Sequence, residues 1–128
     1  MKNKNTFLLI AGILNFFTAI LHLIGGQTTL INPLIESDLI NQVKFEILGA
    51  WHMVTIVLFY TSYLLIKSGL SHAYRKNKEI LSFIAFLYIF FAVPSFILSI
   101  IKGQLIPQWS LLFPIGVLIL IGLKKKTS

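Results

Sequence analysis

The sequence contains no cysteine. That excludes disulfides, Cys-ligated zinc, iron–sulfur clusters and thiol nucleophiles. Charge is also scarce, at 12% of residues, against about 25% in ordinary soluble domains. Acid is the scarcest charge: Glu36, Asp38, Glu46 and Glu79 are the four carboxylates, and His22, His52 and His72 the three histidines. Those seven side chains are the stock from which any metal or acid–base chemistry has to be drawn. Apolar residues, in contrast, make up 56% of the 128 positions. A water-soluble chain this short has too much exterior per volume to hide them. Lipid acting as solvent for the outer faces removes the conflict; a soluble all-helical protein is the alternative.

The apolar residues fall into four runs, about 7–24, 47–66, 80–101 and 107–123. The first, at 1.5 Å per residue, reaches about 27 Å, close to a hydrocarbon core of ~30 Å. Gly25-Gly26 are expected to end it. It is too long for a signal-peptide core and no small-x-small site follows, so an uncleaved helix is expected. Residues 25–46 form the longest connection. Asn32-Pro33 reads as a helix start, and Leu34, Ile35, Leu39, Ile40 and Val43 recur at helical spacing. A short amphipathic helix at the membrane surface is expected there, or an extension of the second span. Pro94 lies inside the third run and predicts a kink. The predicted fold is all-α: an integral membrane four-helix bundle with a short outer-side amphipathic helix, one domain over residues 1–128.

The basic residues set the orientation. With four spans, the N-terminus, the middle loop and the C-terminus share a side. That side carries Lys2, Lys4, Lys67, Arg75, Lys76, Lys78, Lys124, Lys125 and Lys126, nine of the 11 basic residues; Lys44 and Lys102 fall opposite. The positive-inside rule places both termini in the cytoplasm of a multi-pass protein of the cell membrane. Short basic segments flanking apolar runs match anionic lipid headgroups, which accounts for the net charge of +7 without nucleic acid.

Polar side chains within a span are costly and face a neighbouring helix or a cavity. In the first run Asn15, Thr18 and His22 share a stripe; in the second, His52, Thr55 and Ser62; in the third, Tyr88, Ser95 and Ser99. By depth, His22, His52, Thr18, Thr55, Ser95 and Ser99 fall in one outer layer, with Glu46 and Trp51 near its mouth. An outward-facing pocket of His22, His52, Asn15, Thr18, Thr55, Ser95, Ser99, Glu46 and Trp51 is one expectation. Simple helix glue is the other, since Ser and Thr are common where membrane helices meet. Trp51 and Trp109 also suit an interfacial aromatic belt without further role.

Other chemistry has weaker support. His22 and His52 are the minimum for a bis-His haem or part of a metal site, with Glu46 the nearest further ligand. Ser95 or Ser99 with His52, and Glu46 behind, outlines a hydrolase, but no Gly-rich nucleophile turn or oxyanion feature accompanies them. No catalytic residue is assigned and no cofactor is favoured.

The stretch His22-Leu-Ile-Gly25-Gly26, then Asn32-Pro33-Leu34, then Trp51-His52-Met-Val-Thr55 resembles a pattern in small uncharacterised four-span bacterial membrane proteins. It covers about residues 15–66 and implies a class, not a mechanism. Small multidrug exporters have similar size but rest on a Glu in the first helix, where this chain has Asn15. Dual-topology fluoride channels lack the charge bias seen here. The expected function is therefore binding or transport of a small polar or amphiphilic ligand. The alternatives are an accessory or structural membrane protein and a His-ligated metal or haem protein. The lipid bilayer is the expected partner, and four short helices make a bundle thin enough to accept a homodimer or a larger membrane partner.

Overall fold

The computed structural model describes residues 4–124, and all of its regular structure is helical. Lys2, Lys125 and Lys126, used in the charge pattern, lie outside the described residues. Helix α1 spans Thr6–Gly26, followed by a π-helical turn Gln27–Ile31 and by α2, Asn32–Glu36. After a bend come α3, Asn41–Leu70; α4, His72–Arg75; α5, Lys78–Lys102; and α6, Gln108–Lys124. Three helical stretches are long and apolar enough to cross a membrane: Thr6–Glu36, Asn41–Leu70 and Lys78–Lys102; α6 is a shorter apolar helix.

The starts follow from capping. Asn5 accepts the Leu8 amide at 3.2 Å, and Asn77 accepts that of Ile80 at 3.5 Å, each taking up an amide the first turn leaves without a helical partner. Gly103, at φ 60°, ends α5 in the left-handed conformation glycine adopts without a Cβ penalty.

Two expectations are refined at the hairpin joining the first two long helices. Helix α1 does end at Gly26, but the chain does not turn there: it continues helically through the π turn to Glu36. No glycine but Gly103 has positive φ, and without that turn a glycine pair is simply carried in the helix. Helix α2 begins at Asn32 with Pro33 in its first turn, as that pair suggested, but Ile31 and Asn32 are both right-handed helical, so α2 follows the π turn without a break. A proline ring normally clashes with the carbonyl four residues back. Here the widened turn makes room, with Asn32 N bonded to Gln27 O and the Thr28 and Thr29 hydroxyls both donating to Gly25 O at 2.9 Å. The predicted surface helix is thus divided. Asn32–Glu36 prolongs the first helix, residues from Asn41 prolong the second, and no separate amphipathic helix lies across their ends.

Helix α1 packs on α3 and on α6, and α6 packs on α5, so the order around the molecule is α3, α1, α6, α5. Small residues set the close approaches. A Cβ on Gly12 would come within 2.7 Å of the Ile66 backbone, and one on Gly69 within 2.8 Å of that of Leu9. At the same end Asn5 N donates to Gly69 O and Asn5 Nδ2 to Gly122 O, tying α1 to α3 and α6. The core is apolar, with Leu8, Leu65, Ile84, Ile115 and Ile119 at its centre. The outer surface is apolar too, carrying Phe17, Ile56, Phe83, Phe90 and Ile100 more than half exposed.

Candidate functional site

Midway along the helices Asn15 is fully buried and Tyr88 is 1% exposed. Asn15 Nδ2 donates to Thr61 Oγ1 at 2.9 Å and to Leu58 O at 3.1 Å, and Tyr88 Oη donates to Asn15 Oδ1 at 2.8 Å. Thr61 Oγ1 and Tyr88 Oη are 2.6 Å apart. The contacts close into a ring in which the Asn15 amide donates to Thr61 and the Tyr88 hydroxyl donates to Asn15; Thr61, whose hydroxyl also lies 2.7 Å from Val57 O, has one proton to share between that carbonyl and Tyr88. Three helices are thereby joined by polar groups that would be expensive to bury unpaired.

Above this ring, towards the hairpin, lies a cavity of about 340 Å³ lined by α1, the π turn, α3, α5 and α6. Tyr88 and Leu58 form its floor. Its fixed feature is a cluster on one wall. His22 Nδ1 lies 3.0 Å from Thr55 Oγ1, and the His22 ring stacks on Trp51 with centroids 3.7 Å apart and planes 12° from parallel. Thr55 gives its only proton to Trp51 O, 3.0 Å away. With the Thr55 proton on Trp51 O, the matching His22 tautomer donates from Nδ1 and presents Nε2 as an acceptor on a cavity-lining ring. The Trp51 indole fills the space a Cβ on Gly26 would occupy. Trp51 Nε1 and Gln108 Oε1, both on cavity-lining residues, are buried with no hydrogen-bond partner, as is Trp109 Nε1. Polar groups without a partner are few in folded proteins and point to an unfilled role.

The structure brings together His22, Trp51, Thr18 and Thr55 at or against the cavity and sets Asn15 just beneath it. It does not bring the others there. His52 is exposed, one position on from Trp51 and so about 100° around the helix. Glu46 is exposed and accepts from Gln42 within α3. Ser99 donates to Ser95 O and accepts the Ile106 amide at 3.0 Å, pinning the loop after α5 rather than lining a pocket. Among the described residues no three His, Asp or Glu gather for a metal. His52 is exposed and does not line the cavity, whereas His22 is engaged with Thr55 and Trp51. No hydrogen bond joins a serine to a histidine among the described residues. Thr61, Gly26, Thr29 and Gln108 join the site unforeseen. Gly26 and Thr29 continue the stripe of Thr18 and His22 at helical spacing, a signal present in the sequence. Comparison with family models, with curated proteins and with solved structures finds no match, so the site rests on its own geometry.

Proposed function

We propose that this chain is a four-span integral membrane protein, with both ends cytoplasmic, that binds a small amphiphilic molecule in the cavity at its outer end. The apolar exterior and the charge bias support the placement: the hairpin bearing Glu36, Asp38 and Glu46 faces outwards, away from most lysines. The observation that carries the reading is the cavity itself. Its ~340 Å³ falls at the lower end of small-molecule sites. Its wall is mainly apolar, with His22 held rigidly by Thr55 and Trp51 beside partnerless Trp51 Nε1 and Gln108 Oε1. A ligand with a polar head able to donate to His22 Nε2 and accept from Trp51 suits that lining.

Native mass spectrometry on protein gently extracted from its own membrane tests this. A bound species is expected in the unaltered chain and in His52→Ala, and is expected to disappear in His22→Ala. A chain that is empty, or one that keeps the same species in His22→Ala, would sink the reading. One observation favours an accessory role instead: the Asn15–Thr61–Tyr88 ring accounts for part of the polar stripes as helix glue, with no ligand needed.

A further inference from the structure

The ring of helices is not shut evenly. Helices α3 and α5 stand side by side without close packing along their length. A hydrogen bond does join them, Thr61 Oγ1 to Tyr88 Oη, at the cavity floor. The two helices run antiparallel, so one turn towards the hairpin from that bond brings Val57 on α3 level with Phe91 on α5. Both line the cavity. Both are also well exposed, at 38% and 45%, and Val54, a turn further on, is 37% exposed. A cavity wall this exposed lies where the cavity opens. Leu21 and Leu111 form a second such pair, on α1 and α6. Helices α1 and α6 share packing, located at Asn5 and Leu8 on Gly122 towards the other end, whereas α3 and α5 share little anywhere.

We propose that the cavity opens sideways into the bilayer through the seam between α3 and α5, and that it receives the hydrocarbon chain of a membrane lipid. This rests on the membrane-pocket reading above and gives it a ligand class and a route. Val54, Val57 and Phe91 give the rim an apolar edge continuous with the lipid-facing exterior, so a chain passes from bilayer to cavity without meeting water or charge. From Thr18 to Thr29 the slot extends about 16 Å along the helix axis. Its lower walls are Leu58, Phe91 and Leu112; its upper part carries Thr29, Gln108 and the acceptor nitrogen of His22. That polarity matches a lipid lying chain inwards with its polar end at the outer interface. The Thr61–Tyr88 bond closes the seam below and limits how far the chain penetrates.

The test uses the absence of native cysteine and the presence of only two tryptophans. In Trp109→Phe, Trp51 is the sole indole. Cysteines are added at Val57 and Phe91 and bridged by a reducible bis-methanethiosulfonate. The protein is then placed in phosphatidylcholine vesicles with rising fractions of chain-brominated phosphatidylcholine, and Trp51 fluorescence is read. A saturating component of quenching is expected without the bridge, lost with it, and restored by reductant in the same sample, which separates blocked access from misfolding. The same bridge between cysteines at Leu21 and Leu111 is expected to leave that component intact. Quenching without a saturating component, or one the Val57–Phe91 bridge leaves unchanged, overturns the proposal. If the purified chain then still holds a His22-dependent ligand, the pocket stands and its lipid route falls. If it holds none, both fall.

Discussion

Asn15 is the side chain with most at stake in its surroundings. Its amide meets Thr61, Leu58 O and Tyr88 at once, and hydrogen bonds between membrane helices contribute about 1 kcal/mol each. Asn15→Leu is expected to lower unfolding stability by about 1–2 kcal/mol. Tyr88→Phe is expected to cost about 1 kcal/mol, and the double variant less than the sum, because both changes break one ring. Equilibrium unfolding in mixed micelles checks this, and strict additivity would show the ring is not cooperative. His22 and His52 look equivalent along the chain, yet one is stacked on Trp51 and the other is exposed. His22→Ala is expected to shift the emission of Trp51, and His52→Ala to leave it in place.

Among the helical elements, glycines separate packing from propensity. At Gly12 any side chain runs into the α3 backbone, while a Cβ on Gly49 meets nothing within 4 Å. Gly12→Ala is therefore expected to destabilise by about 1–3 kcal/mol through overpacking. Gly49→Ala is expected to stabilise by about 0.5–1 kcal/mol, since alanine loses less backbone freedom in a helix. Thermal unfolding of the two variants side by side reads the sign. At the far end of α3, buried Arg75 donates from Nε to Ser68 O at 3.1 Å and from Nη2 to Gly69 O at 3.2 Å. It satisfies carbonyls that the helix end leaves open. Although it belongs to the basic loop pattern, its structural part is a cap, and Arg75→Ala is expected to cost about 1.5–3 kcal/mol, as for bonds to a charged donor.

For the molecule as a whole, the first two long helices outreach the others. Thr6–Glu36 and Asn41–Leu70 contain 31 and 30 residues, about 45 Å each, against a hydrocarbon core of ~30 Å. In the proposed four-span arrangement the surplus lies at the hairpin, which then either projects from the bilayer or tilts within it. With no native cysteine to interfere, a membrane-impermeant maleimide is expected to label Asp38→Cys on intact cells and Ala73→Cys only after permeabilisation. The reverse pattern would invert the proposed orientation.

Composition by itself determined the helical class and the apolar exterior, because a short chain with so little charge has few other ways to satisfy its backbone. The runs located the helices, and the three-and-four spacing of Asn15, Thr18 and His22 pointed to one buried face. Most helix ends were close too, but the hairpin after the first run was not legible. Gly25-Gly26 and Asn32-Pro33 read locally as stop and start, but the π turn let the helix pass through both. Tertiary structure also decided which polar residues meet. Thr61 was chosen over Ser62 to reach Tyr88, and His22 over His52 to stack on Trp51. Those choices depend on how α1, α3 and α5 are rotated against one another, and that rotation is set by close crossings such as Gly12 on Ile66 and Gly69 on Leu9. Spacing along one helix determines which residues share a face. Only the packing of its neighbours determines what that face meets.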